Sequence, residues 1–307
     1  MDKNLKKLFD LYKKKDFLNA KKQCEEILSK INSNFEIYNI YAVILYELKK
    51  FDEAIINWKK TIELNKDYFF GYNNLGNVYL KINEIDNAII NYDKAIKIKS
   101  DYFEAYHNRG NAYSKLNNIQ KALENYNSAL AIKYDYLPSI KSRKEIFKKQ
   151  KNFSQVLSEI DKILIYEPNN LKAFIDKADI CFDLNKLDEA LDNYKRALEI
   201  KSEPSFVLGN FIHTKTKMCE WDNFQNDILE LETQLQKSIK TSPPYPITTL
   251  FDSPELQLRC SELWQQEYRL KHEMNLKFNN KKNDKIKLGF FSADFRTHPM
   301  GHLMVRM

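Results

Sequence analysis

Residues 72–96 read YNNLGNVYLKINEIDNAIINYDKAI, and residues 107–130 read HNRGNAYSKLNNIQKALENYNSAL. Slid by 34 positions, the two superimpose. Within the first, Leu75, Gly76 and Tyr79 fall on one face of a helix. Ile85, Ala88, Tyr92, Ala95 and Ile96 fall on one face of another, because steps of three, four and seven residues return to the same side of an α-helix. The period runs outward in both directions. Small or short residues stand at Ala20, Ala54, Ala88, Ala122, Val156 and Ala190. A bulky apolar column runs through Phe17, Phe51, Ile85, Ile119, Phe153 and Leu187. An aliphatic column runs through Leu28, Ile62, Ile96, Leu130, Leu164 and Leu198, and another reads Cys24, Trp58, Tyr92, Tyr126, Ile160, Tyr194. Six helix pairs of 34 residues therefore fill residues 1–204.

The small residues have a packing reason. Gly76 and Gly110 in the first helix, and Ala88 and Ala122 in the second, sit where two helices cross closely, and a larger side chain there pushes the backbones apart. Asp67, Asp101 and Asp135 precede the next helix and are expected to cap its free N–H groups. Lys144 occupies the small position of the fifth pair, so that pair is expected to pack irregularly or bend the array.

Composition agrees with long helices and short turns. The 307 residues contain only 6 Gly and 8 Pro, too few for a β-sandwich or propeller. Hydrophobic residues make up 43% of the chain, enough for a core. The N-terminal MDKNLKKLFDLYKKK lacks the apolar run of a secretory signal, and no window has the 18 apolar residues of a membrane span. Cys24, Cys181, Cys219 and Cys260 are too scattered for a disulfide framework or a zinc site, so reduced thiols, no metal and a cytoplasmic location are expected. The net charge of +7 comes without a basic stripe interleaved with aromatics, which argues against a nucleic-acid partner, and the missing apolar span argues against a membrane one.

Stacked helix pairs of this kind enclose a groove that binds extended peptides. Asn74 and Asn77, and again Asn108 and Asn111, lie three apart on the first helix, where amides can hydrogen-bond a peptide backbone whatever its side chains. The alternative is that Asn is merely abundant here and these positions are solvated.

Beyond the repeats, residues 205–238 read as a partial seventh pair, with Gly209 and Asn210 in its first helix, a break at Cys219–Asp222, and a second helix that caps the array. Residues 239–284 form a connector. Four prolines between 243 and 254 predict an extended, irregular stretch. Ser253 and Pro254 then open a helix with an apolar stripe through Leu256, Cys260, Leu263, Trp264 and Leu270. LKFNNKKNDK follows as a basic surface linker. The final segment, residues 285–307, differs in kind. KIKLGFF (285–291) reads as a buried strand, and SADFRTHPMGH (292–302) as a polar turn into a helix. Strand, turn and helix start is the opening of an incomplete Rossmann-like α/β domain, whose turns carry ligands. Ser292, Asp294, His298, Pro299 and His302 form a candidate site there; on spacing alone His298 is either a general base or, with Asp294 and Ser292, a set of turn and cap hydrogen bonds.

The 34-residue pattern resembles the tetratricopeptide repeat family, an all-α superhelix. KIKLGFFSADFRTHPMGHLM resembles the start of the catalytic domain of the O-GlcNAc transferase family, in which such a superhelix comes first. MCEWDNF and YPITTLFDSPELQLRCSELW resemble that family's intervening region, in the same order. The resemblance implies a GT-B glycosyltransferase that moves N-acetylglucosamine from UDP-GlcNAc to Ser or Thr of proteins. It places His298, beside Pro299, in the active-site cleft, with an open role. The O-fucosyltransferase branch, using GDP-fucose, is a close variant, and a non-catalytic tetratricopeptide adaptor is the alternative of another class. Because the chain stops at Met307, within the first βα unit, this stretch by itself is expected to be inactive.

Overall fold

A computed structural model of the chain describes residues 3–31, 33–200 and 206–268, and the described residues up to Trp264 belong to one compact unit. Among the described residues there are sixteen α-helices. The first helices of the six pairs are α1 (Lys3–Lys13), α3 (Phe35–Glu47), α5 (Phe69–Lys81), α7 (Phe103–Lys115), α9 (Leu137–Lys149) and α11 (Leu171–Asp183). Their partners are α2 (Phe17–Leu28), α4 (Phe51–Leu64), α6 (Ile85–Ile98), α8 (Ile119–Ile132), α10 (Phe153–Tyr166) and α12 (Leu187–Ile200). Within the six pairs each helix packs mainly on its chain neighbours, as a solenoid requires. The first helices also touch across repeats, α5 on α7 and α7 on α9. First helices that crowd together form the inner, concave layer.

The turn inside every pair has one geometry. Lys15, Lys49, Asn83, Asn117, Lys151 and Asn185 all have positive φ, between 55° and 69°, one per repeat at the same register. A left-handed residue ends the first helix and turns the chain into the second. Asn tolerates this conformation because its short polar side chain bonds locally, whereas Lys has no such relief. Cys219, with φ 57°, continues the series. It joins α13 (Leu208–Lys217) to α14 (Phe224–Gln236), which pack on each other.

The small columns do what the spacing predicts, with one refinement. A Cβ on Gly76 would lie 2.5 Å from the Tyr92 ring, and one on Gly110 would lie 2.7 Å from Tyr126. The obstacle is therefore the flat face of a fully buried tyrosine rather than the opposing backbone. In the fifth pair the small position is Lys144 and the tyrosine column is Ile160, so a longer first-helix side chain faces a shorter second-helix one. Lys144 remains buried, at 5% exposure, and α9 and α10 keep the 34-residue register.

The aspartate caps are not observed. Helices α5, α7 and α9 begin after Tyr68, Tyr102 and Tyr136, with no side-chain cap. Asp67 and Asp101 sit one residue further out and accept the first helical N–H with their backbone carbonyls, at 3.0 and 3.1 Å. Side-chain caps occur instead at Asp16, Asn118 and Asn152, on the second helices, and at Asn34 and Asn170.

The proline-rich stretch also departs from expectation. It contains α15 (Pro244–Leu250), with Pro244 and Pro246 in its first turns, where a missing N–H costs nothing. Ser253 then caps α16 (Pro254–Tyr268) as predicted, its hydroxyl accepting from the Leu256 N–H at 3.4 Å. Leu256, Cys260 and Leu263 pack with Leu208, Ile212, Leu231, Leu235 and Ile247, closing the end of the array. Leu270, the basic linker and the strand expected over 285–291 lie outside the described residues.

Candidate functional site

The concave layer carries a cavity of about 400 Å³ lined by Val43, Tyr46, Trp58, Asn74, Asn77, Leu80, Lys81, Asn108 and Lys115. Three of the four asparagines singled out by spacing meet here, on α5 and α7. The walls between them are aromatic and aliphatic, with Lys81 and Lys115 at the side.

The amides are held by their neighbours. Asn74 Nδ2 donates to Asn39 Oδ1 at 3.3 Å, and Trp58 Nε1 donates to the same oxygen at 3.1 Å. Asn108 Nδ2 donates to Asn73 Oδ1 at 2.9 Å. Asn77 Oδ1 accepts from the Tyr92 hydroxyl at 2.8 Å. Each cavity asparagine thus has one end fixed by a partner. Fixed amides in a partly apolar cavity offer directional hydrogen bonds at little ordering cost.

Asn77 has a second role that spacing did not reveal. The Tyr92 ring lies against Gly76, and its hydroxyl strongly resists ionisation because burial disfavours its charged form. The same pairing recurs as Tyr126 to Asn111 at 2.7 Å and Tyr194 to Asp179 at 2.7 Å. In the third, fourth and sixth repeats, one acceptor on the first helix therefore anchors the large tyrosine of the second. Asn77→Ala is expected to leave the Tyr92 hydroxyl without this acceptor and to cost about 1–3 kcal/mol of stability, read as a lower Tm. Asn77→Asp should retain most of it, since aspartate already serves at 179.

Asn111 does not reach the cavity. Its Oδ1 takes the Tyr126 hydroxyl and its Nδ2 faces His107 Nε2 at 3.1 Å. His107 Nδ1 lies 3.1 Å from Ser139 Oγ on the next repeat. With the amide nitrogen donating to Nε2, the imidazole is neutral and carries its proton on Nδ1. Burial pushes its pKa down to about 4.

Further along the same layer, a second cavity of about 320 Å³ is lined by Asp179, Phe182, Asp183, Tyr194 and Asn210. Burial raises the Asp179 carboxyl despite the hydrogen bond from Tyr194. Between the cavities lies an ion cluster that sequence reasoning missed. Lys144 Nζ contacts Asp176 Oδ2 at 2.6 Å and Glu145 Oε1 at 3.2 Å, and Lys148 contacts Asp176 Oδ1 at 3.0 Å. Burial alone would raise Asp176, but the two ammonium groups hold it below the usual carboxylate range. Asp176 belongs to the column of Asn74 and Asn108, a signal present in the sequence once the column is drawn.

Ser292, Asp294, His298, Pro299 and His302 lie outside the described residues. Among the described residues, no group of three His, Cys, Asp or Glu could hold a metal ion. No helix among them is long and apolar enough to cross a membrane.

Comparison with known proteins follows the repeats. A family model described as TPR repeat matches residues 43–83 and 76–117, and tetratricopeptide repeat models match 103–133 and 171–204. Among curated proteins the sequence finds no match. Among solved structures, the C-terminal part of a TPR repeat-containing protein from Cytophaga hutchinsonii is 15% identical, with a TM-score of 0.57 over 87% of this chain and 95% of that one. A tetratricopeptide repeat protein from Parabacteroides merdae is 16% identical, with a TM-score of 0.53 over 86% of this chain and 98% of that one. PilF of Pseudomonas aeruginosa is 16% identical, with a TM-score of 0.52 over 76% of this chain and 97% of that one. At such identities the likeness is one of fold. Sequence profile, one left-handed turn every 34 residues and a shared backbone course agree: this chain carries a tetratricopeptide-repeat solenoid.

Proposed function

We propose that the solenoid binds extended segments of partner proteins along the layer of first helices, and that it does so as the substrate-selecting part of a cytoplasmic protein O-GlcNAc transferase. The observation that carries the binding half is the 400 Å³ cavity, where three fixed amides stand among apolar walls. Amides that pair with a peptide backbone, beside walls that take a side chain, suit a segment of varied sequence. The catalytic half rests on the sequence alone, on the resemblance of residues 285–304 and of the two upstream segments. The donor would be UDP-GlcNAc, with GDP-fucose as the variant, and His298 the residue to test.

Radiolabel transfer from UDP-GlcNAc and from GDP-fucose to protein acceptors, measured on the complete gene product, tests the reading. Label is expected from UDP-GlcNAc, with His298→Ala lowering kcat and the double variant Asn74→Ala/Asn108→Ala raising the acceptor KM about ten-fold. Label from GDP-fucose alone would move the protein to the fucosyl branch. No transfer from either donor would leave the adaptor reading, which the cavity supports without any catalytic residue.

A further inference from the structure

The last residues of successive first helices form a column along one rim of the groove: Glu47, Lys81, Lys115, Lys149, Asp183 and Lys217. All are exposed. Lysine at a helix C-terminus is commonly explained by the helix dipole. That explanation does not cover the whole column, because Glu47 and Asp183 carry the wrong sign for their helix ends. The rim is instead basic over three consecutive repeats and acidic at the position on either side. Lys81 and Lys115 line the cavity itself, together with Val43, Tyr46, Trp58 and Leu80, and Lys115 Nζ donates to the Leu80 carbonyl at 2.9 Å. The cavity thus has an apolar wall, a wall of amides and one cationic edge. At the far end of the layer the polarity reverses, with Asp179 and Asp183 lining the second cavity.

We propose that repeats two to five take an extended acidic polypeptide, one apolar side chain seated between Trp58, Tyr46 and Leu80 and flanking carboxylates on the rim of Lys81, Lys115 and Lys149. This rests on the groove reading given above and names the partner class for it. The amides hold the backbone, the apolar wall sets the register, and the lysines select charge. Charge on an exposed rim acts on association and choice of partner more than on total affinity, and it is screened by salt. The apolar wall and the amide row favour a polypeptide over a nucleic acid, whose bases would need stacking faces along the rim.

The test is fluorescence anisotropy on the full chain. One labelled peptide has a central leucine flanked by two glutamates on each side, and its counterpart has lysines in their place. The glutamate peptide is expected to bind about ten-fold more tightly than the lysine peptide at low salt, with the ratio shrinking at high salt. Lys81→Glu/Lys115→Glu, both at exposed positions, should invert the preference and leave the helical circular dichroism unchanged. Equal affinity for the two peptides, a glutamate preference intact in the double variant, or equally tight binding of an oligothymidylate overturns the acidic-partner proposal alone. Binding of neither peptide overturns both this proposal and the groove reading beneath it.

Discussion

Replacing Asp176 with alanine is expected to lower the unfolding free energy by about 3 kcal/mol. Asp176 is the principal counter-ion of Lys144, at 2.6 Å, with both side chains nearly inaccessible to water. Its loss strands an ammonium group inside the solenoid between α9 and α11. The remaining partner, Glu145, is 3.2 Å away on a half-exposed side chain, so solvent screens what it gives back. The decisive comparison is with the double variant Lys144→Ala/Asp176→Ala. Removing both charges removes the desolvation cost together with the attraction, so the double variant should be more stable than Asp176→Ala alone. Chemical denaturation of the two variants reads this difference. A double variant as unstable as the single one would mean that packing rather than charge holds the fifth repeat. Asp176→Ala should also broaden the unfolding transition, because a solenoid weakened at one joint unfolds in parts.

Acid is the second strong lever. His107 is buried and neutral, with a pKa near 4 against an unfolded value near 6.5. The unfolded chain therefore binds a proton across the interval in which the folded chain does not, and stability falls as pH drops from about 6.5 to about 4. The difference corresponds to roughly 3 kcal/mol at the acid end. Protonation places a donor at Nε2 against the Asn111 amide nitrogen, so Asn111 must turn over and release the Tyr126 hydroxyl. His213, lowered by burial and by Lys217, adds a loss of the same sign. Urea midpoints at pH 7 and pH 5 check this. His107→Gln, which keeps a hydrogen-bonding side chain without a titrating ring, should flatten the profile even if it lowers stability at pH 7. A pH dependence unchanged in that variant would assign the acid loss elsewhere.

The repeat was legible because the solenoid repeats its packing demands in strict register, so Ala88 and Ala122, or Tyr92 and Tyr126, meet the same neighbours. The asparagine site was half legible. Spacing placed Asn74, Asn77 and Asn108 on one face but could not show that Asn111 is committed to His107 and Tyr126. Nor could it show that Asn77 holds a tyrosine. These are side-chain choices made after backbone register is set. Asp67, Asp101 and Asp135 misled because capping depends on the helix starting one residue later, and a single residue of offset exchanges a carboxylate cap for a carbonyl one. The helix inside the proline-rich stretch was missed because prolines in a first turn read the same as prolines in an extended chain until the following turn closes.

The left-handed turn at 15, 49, 83, 117, 151 and 185 has a consequence for how such a chain changes over generations. Every pair enters its turn and leaves it with the same backbone geometry. A cut made at one turn and rejoined at another therefore splices like onto like. Whole multiples of 34 residues can be copied or excised without disturbing the junction, while any other length would set the next helix rotated against its neighbour. Groove length is thus the property that duplication alters most freely. The seventh turn, at Cys219, marks where that exchange ends, since α15 and α16 cover α13 and α14 outside the 34-residue register and Gly209 leaves no room beside Ser242 for even a methyl group.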